Sequence, residues 1–323
     1  MRALRWTAGA CALLTFGLIV LGAVVRATNS GLSCPDWPTC YGHWLPLPSD
    51  LEAVPNMGYA YWQVMLEWIH RVVAAFMLGP LVLVLAVLCV RQRRRLPGLV
   101  FAAGLLIGLL LIQKLLGGIT VLDRNSPWSV ALHLGNALFV LTVILLIFER
   151  AGGTAPATRF AAIGWLGAGA WLLALLAMAS AAMTAKSGSS LACSTWPLCD
   201  GALIPDLSDP GVAIHFTHRS LAAATGLAVL LVFVVSRMRS GVPGALRQLA
   251  AVALALVGAQ ILLGASVIVF EVPRSLAVLH QAVGVATFAT VTLLMWRCLP
   301  AAWRPVDGQQ AVGEGDGLAL RSA

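Results

Sequence analysis

Four of the six histidines in this 323-residue chain fall at matched positions. His70 stands in EWIHR (67–71) and His218 in HFTHR (215–219), an offset of 148. His133 and His280 stand in QKLLGGITVLDRNSPWSVALHLGNA (113–137) and QILLGASVIVFEVPRSLAVLHQAVG (260–284), an offset of 147. All four lie inside apolar runs. A histidine within a membrane span is uncommon and is a functional hypothesis by default. One polar residue hydrogen-bonded between helices accounts for a single histidine but not for four in register. Two imidazoles facing each other across a helix bundle make an axial pair for a haem iron. Zinc would recruit further cysteine or carboxylate ligands, and no such cluster accompanies either pair. The pattern predicts two haem sites, His70 with His133 and His218 with His280.

Each proximal histidine is followed by an arginine, Arg71 and Arg219. Guanidinium grips a carboxylate with two parallel hydrogen bonds, and a haem has two propionates, so these duplicated arginines are candidates to neutralise them. Arg26, Lys114, Lys186 and Arg274 are further candidates, the alternative being that they extend to the membrane interface. The matched motifs differ at one informative position: Glu67 stands where the second half has His215. Three residues before His70, Glu67 shares its helix face, one turn nearer the outside. A carboxylate there overhangs a porphyrin edge rather than the iron. Burial would favour its protonated form, suiting it to proton transfer or to stabilising positive charge. A glutamate favoured only by a helix N-terminus is the alternative. His215 could compete with His218 as a ligand, but the alignment with His70 favours His218.

The motifs CPDWPTCYG and CSTWPLCDG place Cys34, Cys40, Cys193 and Cys199 in two matched loops. In an oxidising compartment such pairs form disulfides, and closing each loop restricts the unfolded chain by roughly 2–2.5 kcal/mol on the loop-entropy model. Structural staples that shape loops over a site are one reading; a redox-active pair is the other, although the spacing is not C-x-x-C. Cys11, Cys89 and Cys298 lie in apolar runs and read as small apolar residues.

The elements that must position these groups are membrane helices. The chain is 59% hydrophobic and 11% charged, against about a quarter charged in soluble domains. Apolar runs near 20 residues, each able to cross a core of about 30 Å, recur at about 8–27, 63–90, 98–119, 130–148, 160–183, 212–236, 248–270 and 276–298. The first is read as a retained helix, since no convincing cleavage site follows it. Arginines crowd the connections 91–98, 149–159 and 237–247 and flank both ends of the chain. The positive-inside rule therefore puts both termini in the cytoplasm and the cysteine loops outside. The net charge of +8 serves topology and does not indicate nucleic acid. Matched Cys, His-Arg and Gln positions in the two halves, each with an even number of helices, make a parallel repeat. The expected architecture is all-α: two four-helix bundles, 1–150 and 151–300, then a disordered, Gly-rich cytoplasmic tail at 301–323.

GLSCPDWPTC, EWIHR, the later paired histidines and the duplicated eight-helix plan resemble the haem A synthase family over the chain to about residue 298. The resemblance implies two-step oxidation of a haem O methyl group, through an alcohol, to the formyl group of haem A used by terminal cytochrome oxidases. It implies substrate haem O at His70 and His133, catalytic Glu67, a retained haem b at His218 and His280, and a disulfide at Cys34–Cys40. The Cys193–Cys199 pair is not found in every member. Implied partners are membrane lipid, a haem O synthase (protohaem farnesyltransferase) and an electron-transfer partner, in a bacterial-type inner membrane. A diheme, quinol-linked b-type electron carrier would need the same histidines but gives Glu67 no role. A thiol oxidase would not need the four histidines. A haem transporter would present haem in exposed Trp-rich loops, where Trp37, Trp44 and Trp196 do lie. A prenyltransferase would show Asp-rich diphosphate sites, absent from these loops.

Overall fold

The structure, a computed structural model, describes residues 1–52, 54, 57–96, 98–153 and 157–299. The tail expected to be disordered lies outside the described residues. Among the described residues eight helices are long and apolar enough to cross a membrane: α1 Arg2–Ala27, α2 Tyr61–Arg91, α3 Gly98–Leu122, α4 Pro127–Ala151, α5 Ala161–Lys186, α6 Pro210–Met238, α7 Gly244–Val269 and α8 Arg274–Cys298. No strand occurs among the described residues. The chain is a multi-pass, all-α membrane protein.

Six helices contain their predicted apolar runs, and α5 and α7 miss one terminal residue each, Phe160 and Phe270; local chemistry sets where several begin. α4 starts three residues before its run because the Ser126 side chain accepts the Ser129 N–H and Pro127 occupies the first turn. α6 starts similarly at Pro210, with Asp209 accepting from the N–H groups of Gly211 and Val212. α2 is interrupted by a π-helical segment, Val73–Leu78, whose closing N–H of Gly79 reaches Ala74 O, five residues back. Pro80 accounts for it. Proline has no N–H for the Phe76 carbonyl and its ring crowds that carbonyl, so the ladder shifts register there. The matched residue in α6 is Ala228, and α6 is an uninterrupted α-helix.

Within the first half α1 packs on α2 and α4, and α3 on α2 and α4; α5 to α8 repeat this ring, α5 and α7 each packing on α6 and α8. The halves meet where α4 lies against α5 and α8, and α1 against α8. α4 is accordingly the most buried span, and α2, α3, α6 and α7 carry the lipid-facing surface. Polar ties cross the seam at both ends. Arg297 of α8 holds Glu149 of α4 with two hydrogen bonds, 3.0 and 2.9 Å. At the cysteine-loop end Arg26 of α1 donates to Gln281 of α8 at 3.1 Å.

Helix length decides how deep the histidines sit. The 31 residues of α2 run about 46 Å, against a hydrocarbon core of about 30 Å. Counting about 20 residues back from Arg91 reaches Arg71 and His70, and about 20 back from Arg237 in α6 reaches His218. The first two turns of α2 and α6, with Glu67 and His215, thus rise beyond the core into the cover of the cysteine loops.

Candidate functional site

The four imidazoles are half-buried, and three press on a glycine of a neighbouring helix. A Cβ on Gly22 of α1 would lie 3.4 Å from Cε1 of His70, and one on Gly117 of α3 would lie 3.4 Å from Cε1 of His133. One on Gly264 of α7 would lie 3.2 Å from Cε1 of His280. Gly117 and Gly264 are matched by the same offset as His133 and His280. Within each half the two histidines are near enough to interact electrostatically. Nδ1 of His218 is 3.1 Å from the Ala177 carbonyl; donating there fixes the tautomer and leaves Nε2 for a metal. Nδ1 of His70 and of His280 are enclosed by packed protein without a hydrogen-bond partner, so Nε2 is the nitrogen left for a metal there too. The outer segment of α2, Tyr61–Val72, packs on α1 and makes no extended contact with α3 or α4 among the described residues. Paired imidazoles, unpartnered ring nitrogens and glycine-relieved approaches fit a bis-histidine haem.

Filling a glycine cradle should expel the group beside it. Gly264→Val is expected to displace the His280 ring and lower the haem-to-protein ratio from two toward one. Gly258→Ala on the same helix, where a Cβ meets nothing within 4 Å, should leave the ratio unchanged. Absorption spectra of the purified proteins read both.

The duplicated arginines hold the loops. Arg71 donates through Nη1 to the carbonyls of Asp36 and Thr39, at 2.6 and 2.7 Å. Its Nη2 donates to the carbonyl of Cys34 and to Glu67 Oε1, at 3.1 and 2.7 Å. Arg219 does the same with Thr195, Leu198 and Cys193, at 2.8, 3.3 and 2.8 Å. Each keeps one N–H for any ligand, so neither can grip a propionate bidentately without releasing one of its present partners, a loop carbonyl or the Glu67 or His215 side chain. Of the other candidates, Arg26, although it belongs to the first half, is in electrostatic reach of His280 and Lys186 of the second. Lys114 lies over the Trp37 ring, 5.8 Å from its centroid. Arg274 opens α8.

Both disulfides are formed, Cys34–Cys40 and Cys193–Cys199. Each is followed by a two-way backbone pairing, Cys40 with His43 and Cys199 with Ala202. Asp36 organises the first loop by accepting from the Thr39 hydroxyl and the N–H groups of Tyr41 and Gly42. Burial pushes its carboxyl up, but these hydrogen bonds outweigh burial and hold it below the ordinary carboxylate value. A depressed carboxylate stabilises the fold above its unfolded pKa, and the contribution is lost as pH falls through the folded value. Amide exchange at Tyr41 and Gly42 should therefore stay slow at neutral pH and accelerate on acidification below the ordinary Asp range. Asp36→Asn should be fast throughout.

Glu67 sits under the first loop, 5% exposed. It accepts from the Cys34 N–H (2.9 Å) and Arg71 (2.7 Å), and the Ser33 hydroxyl is 3.1 Å away, its single proton shared among Glu67 and the carbonyls of Ser30 and Gln63 at 2.7 and 3.0 Å. Burial is as expected, but the carboxylate is ion-paired rather than isolated. His215 occupies the equivalent place, with Nδ1 3.2 Å from the Cys193 N and Nε2 3.2 Å from Arg219 Nε. A neutral imidazole can accept at only one nitrogen, and Ala192 replaces Ser33, so the group at this place has fewer partners and carries no negative charge of its own; the carboxylate that acts on His215 and Arg219 is Asp200 of the loop. The loops differ also where they meet the helices. The Trp37 ring lies on Gly118, where a Cβ would be 3.3 Å away. The matched residues are Ala265 and Ile261 in place of Gly118 and Lys114, and Trp196 is exposed. Sequence reasoning missed Ser33, Gly22, Gly117 and Gly118. A column-by-column comparison of the two halves carries the signal for Ser33, Gly117 and Gly118, as an identity or a difference.

Residues 5–292 match the family model described as cytochrome oxidase assembly protein, COX15-CtaA. The chain is 29% identical to a Heme A synthase of Shewanella oneidensis, over 91% of this chain and 97% of that protein. It is 33% identical to one of Symbiobacterium thermophilum, over 82% and 85%, and 28% identical to one of Geobacillus kaustophilus, over 94% of each.

Proposed function

The chain belongs to the COX15-CtaA family of cytochrome oxidase assembly proteins, and we propose that it is a haem A synthase, an oxidoreductase converting a methyl group of haem O to the formyl group of haem A. What supports the reading is the inequality of two otherwise matched sites. Both halves have a histidine pair and an arginine-held disulfide loop; only the first has a carboxylate, Glu67, one turn from its histidine. Substrate haem O is held by His70 and His133, and haem b by His218 and His280, where it would supply one-electron transfer. Arg71 and the Cys34 N–H fix the Glu67 carboxylate at the loop-covered mouth of the first site, where it takes up protons as the methyl carbon gains an oxygen atom from a water molecule and gives up four electrons in two steps. The loop, packed by Trp37 on Gly118, keeps bulk water from that mouth.

On this reading both termini lie in the cytoplasm and the disulfide loops on the outer face of a bacterial-type inner membrane, which the arginine-rich connections support through the positive-inside rule. Substrate is supplied by a membrane prenyltransferase that makes haem O, and electrons leave to a separate carrier. Chromatography of pigments from protein purified out of haem O-producing cells tests the reading. Haem b together with haem O, its alcohol or haem A is expected. Two molecules of haem b per chain and no other haem would overturn it in favour of a diheme electron carrier.

A further inference from the structure

The two histidines contributed by α4 and α8 are backed by matched glutamines, Gln113 and Gln260, but the glutamines are held differently. Nε2 of Gln113 is 3.3 Å from Nδ1 and 3.2 Å from Nε2 of His133. An amide nitrogen equally far from both ring nitrogens cannot lie in the ring plane at that distance without driving into Cε1. It therefore rests over the face of the imidazole, an N–H···π contact that leaves the in-plane lone pair free. The amide cannot turn away. Asn136, one turn beyond His133 on the same face of α4 and buried, donates to Gln113 Oε1 at 2.7 Å and to the Leu109 carbonyl at 2.9 Å.

In the second half the residue matching Asn136 is Val283. Nε2 of Gln260 is 3.4 Å from Nε2 of His280, and Gln260 Oε1 is buried with no hydrogen-bond partner. The glutamine is present, its Nε2 packed against Gly284, but no donor holds its Oε1 as Asn136 holds that of Gln113.

We infer that Asn136 and Gln113 are positioning residues that clamp the His133 ring in one plane, and that the second half lacks this clamp because its haem stays bound. The inference rests on the reading that His133 ligates haem. A site that receives fresh substrate in every turnover re-forms its ligand bond each time. A ring already held in the bonding orientation avoids the ordering cost at each binding event. A permanently bound haem orients its own ligand once.

The test is electron paramagnetic resonance of the oxidised, purified holoprotein, because the low-spin haem signal reports the orientation of the axial imidazole planes. The wild-type first-half haem should give one narrow signal. Asn136→Val should broaden or split it, and should slow haem O conversion about tenfold, the scale of a lost ligand-orienting partner. The second-half signal in the same sample reports that the variant is folded. Val283→Asn should supply Gln260 with its missing donor and narrow the second-half signal, a gain that a merely structural role for Asn136 does not predict. An unchanged first-half signal in Asn136→Val, or an unchanged second-half signal in Val283→Asn, overturns the clamp. If the first-half haem proves to be haem b and Asn136→Val still broadens its signal, the clamp stands and the haem A synthase reading falls.

Discussion

Glu67→Gln is expected to halt conversion while both haems stay bound: haem O accumulates in the protein and haem A and its alcohol disappear, a rate loss of about 10²–10⁴-fold for removal of a proton-transfer group. The substitution keeps side-chain size and one acceptor oxygen. It removes the charge opposite Arg71, and the new NH₂ faces either the Cys34 N–H or the guanidinium, donor against donor. The loop will loosen somewhat for that reason, so a second variant separates loop from chemistry. Ser33→Ala removes a hydroxyl that reaches Glu67 at 3.1 Å and the carbonyls of Ser30 and Gln63 at 2.7 and 3.0 Å, one hydrogen bond's worth or about 1 kcal/mol, and reproduces the Ala192 of the second half. It should leave most of the activity. If Ser33→Ala and Glu67→Gln lose activity equally, Glu67 acts through the loop; if Glu67→Gln converts haem O at the wild-type rate, the carboxylate has no part in the chemistry.

Much of this site could be read before any coordinates, because duplication turns one chain into its own control. The spans follow from runs of apolar residues, which the bilayer requires to be helical since no backbone group can go unpaired there. The histidine pairs follow from identity at two offsets. What was not legible depends on contacts between segments far apart in sequence. The EWIHR motif gives no sign that Arg71 turns outward to the carbonyls of residues 34, 36 and 39 rather than toward a propionate. An arginine beside a ligand histidine suits either job, and only the fold of the Cys34–Cys40 loop decides. Likewise Glu67 three residues from His70 reads as an isolated carboxylate until Ser33 and the Cys34 N–H, more than 30 positions away, arrive above it. Pro80 in an apolar helix signals a disturbance, but a π-helical segment was not foreseen from it.

Removing one histidine at a time should divide the pigment between the halves. His70→Ala and His133→Ala are each expected to empty the first site, abolish conversion by at least about 100-fold, beyond what loss of an orienting partner alone produces, and leave haem b in place. His218→Ala and His280→Ala should instead remove haem b. The first site can still load after that loss, since the α1–α4 ring has its own packing; it cannot turn over if electrons leave through the second. Haem O should then be retained unconverted, the same pigment that Glu67→Gln accumulates but with haem b missing. The seam allows one cross-effect. Arg26 comes from the first half yet bonds Gln281, the neighbour of His280, so Arg26→Ala should disturb the second-half spectrum and spare the first. Were His218→Ala to keep full conversion, haem b would lie outside the electron path, and the duplication would be a relic of ancestry rather than a division of labour.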